Sequence, residues 1–376
     1  MKYYIIAGEA SGDLHAANLM HELKKIDSEV TFRCWGGDRM IAEGGNVVKH
    51  IKELAFMGFA EVLMNIKTIK RNIDFCKKDI LENKPDALLL VDYPGFNLRI
   101  ADFAKKNGIH VYFYISPTVW AWKESRVEIV RRSVDKMFAI LPFEKPFYAK
   151  HNIDVDYEGH PLLDEIEKVK LTIPTREEFI KQNNLTGKPI IACLPGSRKQ
   201  EIKVILPAML KQLKHFPDYE FVVAAAPSLA LENYTAIEGM DKIKMLTGKT
   251  YELLHHAHAG LIKSGTSTLE AALFNLPEVC CYAGNPISVW IAKRLAIVKY
   301  VSLPNLILDK LIVTELIQKE MNEENMKREL MALVKEGDAR TSMLNDFSKL
   351  KEMLGTKGAS TRIAQKLHTY VKNQKN

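Results

Sequence analysis

The chain has no C-x-x-C pair: its five cysteines, Cys34, Cys76, Cys193, Cys280 and Cys281, are odd in number and scattered through 376 residues. That pattern excludes a disulfide framework and a cysteine zinc site, and fits reduced, buried thiols of a cytosolic protein. No run of 18 apolar residues occurs, which excludes a membrane-spanning helix. The N-terminus lacks the apolar core and small-residue cleavage site of a secretory signal; Lys2-Tyr3-Tyr4-Ile5-Ile6-Ala7-Gly8 reads instead as a buried first strand. Excess charge is scarce too, and a net +7 is too small to mark a nucleic-acid binder. What excess there is falls in two places, +4 in residues 101–150 and +5 in residues 351–376, leaving −2 for the rest.

What is present is ordinary for a folded protein: 47% hydrophobic and 26% charged residues. At about 150 residues per domain the length allows two to three domains. Short apolar runs alternate with stretches of helical period. The spacing predicts strands at 2–7, 30–35, 87–91, 110–115 and 136–141, with helices at 14–26, 60–82, 97–107 and 122–133. After a polar stretch at 164–188 the alternation resumes, with strands at 189–194, 220–225, 243–246, 259–262 and 278–282. Helices are predicted there at 201–214, 228–237, 250–257, 266–274 and 286–296. This is an α/β pattern of two Rossmann-like, doubly wound parallel sheets in tandem, 1–163 and 164–340. A last helix at about 359–373 belongs to neither series and is expected to pack back on the first domain. Ligands in such folds bind at the C-terminal ends of the strands.

Along 60–82, Val62, Ile66, Ile69, Ile73, Cys76 and Ile80 form one apolar stripe, while Lys67, Lys70, Arg71, Lys77 and Lys78 cover the remainder. With Phe56, Met57 and Phe59 just upstream, the segment suits an anionic membrane surface. A helix packed on the sheet with a solvated basic back has the same pattern.

Five loops could carry chemistry. The first strand ends in Ala7-Gly8-Glu9-Ala10-Ser11-Gly12-Asp13, whose glycines permit close approach but whose Glu9 and Asp13 would repel a pyrophosphate. Asp13 is either a helix cap or a substrate contact. The strand 87–91 ends at Asp92, held by Tyr93-Pro94-Gly95, well placed to take a proton from a hydroxyl, although an Asp after a strand is more often a turn or cap residue. Trp120 and Trp122 sit in the loop Ser116-Pro117-Thr118-Val119-Trp120-Ala121-Trp122, where exposure is costly and a ligand, a partner domain or lipid would cover them. In the second half, Pro195-Gly196-Ser197-Arg198 opens a helix as a phosphate site would, with amides, dipole and a guanidinium fork. Ser264-Gly265-Thr266-Ser267-Thr268 opens another, with Glu270 one turn inside to meet a ribose diol. Together they outline a nucleotide-sugar site, although Ser/Thr capping explains either alone. His255, His256 and His258 fit no usual zinc spacing and read as a helix end.

Several of these strings resemble one family. Gly8-Glu9-Ala10-Ser11-Gly12-Asp13, Met57-Gly58-Phe59-Ala60-Glu61-Val62-Leu63, Ser116 to Trp122, Leu141-Pro142-Phe143-Glu144-Lys145, Gly159-His160-Pro161, Leu194 to Arg198, Ser264-Gly265-Thr266 with Leu269-Glu270, and Tyr300-Val301-Ser302-Leu303-Pro304-Asn305 resemble the lipid-A-disaccharide synthases, in order over about 80% of the chain. The resemblance implies a GT-B glycosyltransferase with its two domains facing a cleft. It would join UDP-2,3-diacylglucosamine to 2,3-diacylglucosamine 1-phosphate (lipid X) through a β-1,6 linkage and release UDP.

Carried onto this sequence, the resemblance makes Asp92 the general base and Arg198 the stabiliser of the diphosphate. Gly196, Ser197, Arg198, Ser264, Gly265, Thr266, Glu270 and Asn305 would bind the UDP-sugar. Glu9, Ser11, Gly12, Asp13, Ser116, Trp120 and His160 would lie on the acceptor side. Phe56, Met57, Phe59, Val62, Ile66, Ile69 and Trp122 would meet acyl chains. Gly95 stands where some relatives carry a second acidic residue, which leaves Asp92 to act alone. No cofactor or metal is expected, because no Asp-x-Asp pair is placed to hold one and Arg198 with helix dipoles fills that role. The expected partners are the two lipid substrates and the anionic inner-membrane surface, from the cytoplasmic side, with no nucleic acid and a homodimer left open. Other GT-B chemistry on UDP-N-acetylglucosamine, such as 2-epimerisation, or a non-catalytic carrier of nucleotide sugars or lipids, is the alternative.

Overall fold

The computed structural model describes residues 1–54, 66–122, 124–227, 229–284 and 298–375. The chain divides into two compact units, Met1–Asp164 with Gly355–Asn376, and Glu165–Leu354.

The first unit is built on a seven-stranded sheet: β1 (Lys2–Ala7), β2 (Thr31–Gly36), β3 (Asn46–His50), β4 (Ala87–Val91), β5 (Val111–Tyr114), β6 (Lys136–Ala139) and β7 (Asp156–Tyr157). All neighbours are parallel, in the order β3-β2-β1-β4-β5-β6-β7. The central strands are apolar without a break because both faces are covered. On one face Tyr4, Ile6, Leu88, Leu90 and Phe113 pack with Ile73, Cys76 and Ile80 and with the helix Pro94–Lys106. On the other, Tyr3, Ile5, Leu89, Val91 and Tyr112 pack with the helix Ala10–Ile26 and with Ile363, Ala364, Leu367 and Val371 of the last helix, Ala359–Lys375. The apolar positions of that last helix recur at one, four and eight, a single stripe laid on the sheet.

These contacts settle the stripe of the Ile66–Asn83 helix. Ile73, Cys76 and Ile80 are buried in the core and Ile69 packs against it. Ile69 is half-buried, so the sheet beneath it supplies part of its apolar cover. Phe56, Met57, Phe59 and Val62 lie outside the described residues, as do the side chains of Ile66 and Trp122. Predicted 122–133 is interrupted: a short helix at Val119–Trp122 and a separate one at Val127–Ser133 flank a 3-10 turn.

The second unit carries β8 (Ile190–Leu194), β9 (Glu220–Ala225), β10 (Lys244–Thr247), β11 (Ala259–Lys263), β12 (Glu278–Tyr282) and β13 (Glu315–Ile317). They form a parallel sheet in the order β10-β9-β8-β11-β12-β13. The polar stretch 164–188 is no plain linker. It holds the end of helix Leu162–Lys170 and all of Arg176–Gln182, the latter opened by a Thr175/Glu178 capping box. Predicted 228–237 shrinks to Glu232–Thr235, and predicted 286–296 lies outside the described residues. In each sheet the winding reverses once, between β1 and β4 and between β8 and β11. These switch points open a crevice at the strands' C-terminal edge, where doubly wound folds take their ligands.

Candidate active site

At the first switch point the loops after β1 and β4 meet. Asp92 and Tyr93 both adopt left-handed backbone, φ 47° and 50°, and Ile115 at the end of β5 does so at 64°. For a tyrosine and a β-branched residue this conformation is costly and persists only where the surroundings impose it. The surroundings here are identifiable. The Tyr93 ring lies over Gly8 so closely that a Cβ there would stand 2.3 Å from it. Asn97, fully buried, donates its amide to the Asp92 carbonyl at 2.7 Å and also reaches the carbonyls of Ile6 and Val91. It ties the ends of β1 and β4 together and so fixes where Asp92 stands.

Burial raises the Asp92 carboxyl to about 7, helped by the charges of Glu9 and Glu144 and opposed by the Tyr93 amide that donates to it. A carboxyl poised near neutrality suits a general base. Glu144, which the sequence showed only within a motif, is pushed up to about 7 by its own burial. It accepts from the Ile140 and Leu141 amides and from the Trp120 indole at 3.0 Å. Gly95 is open, and a side chain there would meet nothing within 4 Å.

Several residues expected on the acceptor side have internal work instead. Asp13 is buried and accepts from the amides of Gly37, Arg39 and Met40, so its carboxylate caps the neighbouring helix Asp38–Ala42 rather than facing a substrate. Gly12 is buried too, and a Cβ there would stand 3.3 Å from that of Ala7, so it brings the helix against the sheet. Trp120 is buried edge-on against Phe143 and anchored by Glu144, which makes it a packing residue. Ser116 is buried and hydrogen-bonds the Tyr148 hydroxyl at 2.9 Å. His160 is buried and pushed down to about 3 by burial, so the ring is neutral; its Nδ1 accepts from Leu162. Glu9 and Ser11 remain partly accessible at the switch point.

At the second switch point the loops after β8 and β11 meet. Gly196 has φ 113°, and a Cβ there would lie 2.4 Å from Glu201 Oε2, so only glycine fits. Ser197 and Arg198 are exposed just before the helix Lys199–Leu210. Glu201, nearly buried, accepts from the Ser197 amide at 3.2 Å and pairs with Arg198 at 3.5 Å and Lys263 at 2.9 Å. Gly265, at φ 146°, caps the helix Thr266–Leu273 and leaves Thr266 exposed. Glu270 accepts from the Tyr251 hydroxyl at 3.0 Å and from Ser267, and burial raises its carboxyl.

Two expected UDP-sugar residues are turned inward. The Ser264 hydroxyl donates to the Val301 carbonyl at 2.7 Å. Asn305 is fully buried with all four of its hydrogen-bonding positions used: Nδ2 donates to the Val313 carbonyl and Glu315, and Oδ1 accepts from the Ile312 and Val313 amides. No position is left for a ligand, so Asn305 is a clamp on its loop, with Glu315 as hub. His256 and His258 point to separate carbonyls, those of Pro174 and Val334. Among the described residues no group of three or more His, Cys, Asp or Glu could hold a metal ion.

Two doubly wound parallel-sheet units in one chain, each with a switch point, make up a GT-B-like fold. The same fold is found in a UDP-GlcNAc 2-epimerase from Neisseria meningitidis bound to UDP-GlcNAc, at a TM-score of 0.68 and 16% identity over 98% of this chain and all of that one. The calicheamicin glycosyltransferase CalG4 matches at 0.61 and 14% over 99% and 98%. Within that class the family is set by sequence. Residues 3–367 match the model of the lipid-A-disaccharide synthetases, and the chain belongs to that family of glycosyltransferases. It is 35% identical to the lipid-A-disaccharide synthase of Syntrophus aciditrophicus (strain SB), over 98% of this chain and 97% of that one. The enzyme of the same name from Anaeromyxobacter dehalogenans (strain 2CP-C) is 37% identical over 96% of each.

Proposed function

We propose that the chain condenses UDP-2,3-diacylglucosamine with 2,3-diacylglucosamine 1-phosphate to give the β-1,6-linked disaccharide and UDP. The observation that carries the chemistry is the Asp92 carboxyl, pushed up to about 7 by burial at the switch point, on a backbone whose carbonyl Asn97 holds. As the acceptor O6 attacks C1 of the donor, Asp92 takes the hydroxyl proton, the O6–C1 bond forms, and the C1–diphosphate bond breaks. UDP leaves with the bonding electrons from the face opposite attack, so C1 inverts. Negative charge grows on the diphosphate; on this reading Arg198 and the amides at the start of the Lys199–Leu210 helix stabilise it, with no metal or cofactor called for.

Both substrates are amphiphiles, so the reading places the enzyme on an anionic membrane surface from the cytoplasmic side. Among the described residues no helix is long and apolar enough to cross a membrane. The helix Ile66–Asn83 exposes Lys67, Lys70, Arg71 and Lys78, with Phe75 and Leu81 also at the surface, which supports peripheral binding.

The test is UDP release from the diacylated donor, with and without the acceptor. The parent enzyme is expected to release UDP only with acceptor present, and Asp92→Asn to lose about 10²–10⁴-fold in kcat while still binding UDP. Acceptor-independent turnover would favour epimerase-like chemistry, no turnover a carrier, and full activity in Asp92→Asn would remove the base.

A further inference from the structure

Glu201 occupies the place an anion would take. Its two carboxylate oxygens gather the Ser197 amide, the Arg198 guanidinium and the Lys263 ammonium. An amide at a helix start, a guanidinium and an ammonium converging on one anionic group are the donor set of a phosphate site. The loop is shaped around this contact, since at Gly196 any side chain would strike Glu201.

Lys263 does not behave like a surface lysine. It is the last residue of β11, across the switch point from Gly196, and its side chain is only 19% exposed, against 53% for Arg198. Its ammonium stands 5.9 Å from the centre of the Tyr282 ring and 4.0 Å from where a Cβ would project at Gly265. It is thereby held between the two loops that open the helices Lys199–Leu210 and Thr266–Leu273. One carboxylate shared by two cations leaves the trio with a net positive charge, and Glu201 satisfies only one of the ammonium's three donors.

We propose that Lys263 is a second diphosphate-binding cation, and that Glu201 is a positioning residue that holds Lys263 and Arg198 at a common spacing before the nucleotide sugar arrives. The inference rests on the reading of this edge as the UDP-sugar site. In the loaded state both cations turn their remaining donors to diphosphate oxygens while Glu201 keeps the Ser197 amide and the cation stems in place. Two cations across the diphosphate would also carry the charge that builds as UDP leaves.

The experiment is calorimetric titration of the full-length protein with UDP and, separately, with uridine. Lys263→Met is expected to weaken UDP about tenfold, the equivalent of one charge-assisted hydrogen bond, with uridine unaffected. It should raise KM for the donor and leave KM for the acceptor unchanged. Lys263→Arg, which keeps the charge, should recover most of the UDP affinity, and a melting curve checks that each variant is folded. For Glu201→Gln the expected result is retained uridine binding with a fall in kcat larger than the rise in donor KM. Wild-type UDP affinity in Lys263→Met, with affinity lost in Arg198→Ala, would leave Lys263 a mere counter-ion of Glu201 and overturn the proposal. Failure of the parent protein to bind UDP would instead overturn the reading of the site.

Discussion

At the scale of single residues, the first site is governed by burial of a carboxyl, with like charge second. Asp92 titrates near 7 because burial and then Glu9 disfavour its ionised form. As pH falls through that value the base acquires its proton before the acceptor can supply one, so the acid limb of kcat/KM should centre near 7. Replacing Glu9 by Gln removes a negative neighbour and makes ionisation of Asp92 easier. The acid limb should then move to lower pH, with activity at pH 6 raised relative to the plateau, as read from a pH–rate profile on the parent and Glu9→Gln enzymes. An unmoved limb would mean that Glu9's charge is screened from Asp92 or that another group sets the profile. The sequence offered Asp92 and Glu9 as separate loop residues. It could not offer Asn97, Glu144, Glu201 or Lys263 in their roles, because each acts through a partner reached only by folding: Asn97 through the ends of two strands, Lys263 through a carboxylate 62 positions earlier.

At the scale of elements, legibility follows burial. The central strands β1, β4, β5, β8, β11 and β12 are continuous apolar runs because helices cover both faces, and those runs are visible without a structure. The edge strands β3 and β7 were missed for the complementary reason: Asn46–His50 has no fully buried residue, and Asp156–Tyr157 is two residues long. Asp13 and Asp164 show the same limit for caps. Asp13 read as a cap of its own helix and caps another; Asp164, which the sequence did not single out, accepts from the amides of Gly358 and Ser360 at the start of the last helix, 194 and 196 residues away. That start is pinned again by Arg362 on the Glu158 carbonyl. Asp164→Ala should cost the first unit about 0.5–2 kcal/mol, the usual worth of a helix cap. Hydrogen exchange of residues 359–371 should quicken before that of β1 and β4. Equal protection in variant and parent would show that the apolar stripe alone holds the helix.

At the scale of the molecule, the modest positive charge is used up unevenly. Ion pairs take up part of the charge of both basic blocks. Lys105, Lys106, Arg132 and Lys136 are matched by Asp135, Asp102 and Asp154, and Lys366 of the last helix by Asp156 and Glu158. Exposed basic charge in the first unit is better sought on the Ile66–Asn83 helix, where Lys67, Lys70 and Arg71 stand out to solvent beside Asp74 while the apolar side is spent on the core. Attraction to an anionic bilayer runs at about 1 kcal/mol for each basic residue near the surface, and salt screens it over about 10 Å at 0.1 M. Changing Lys67, Lys70 and Arg71 together to Glu should therefore lower affinity for phosphatidylglycerol-containing vesicles by roughly a hundredfold or more. The parent's binding should itself fall steeply with salt and be weak on neutral phosphatidylcholine. Activity on detergent-dispersed substrates should survive the triple change, since none of these residues belongs to either switch point. Co-sedimentation of the parent with neutral and anionic vesicles alike, or of the triple variant as readily as the parent, would move the docking surface off this helix and onto apolar contacts.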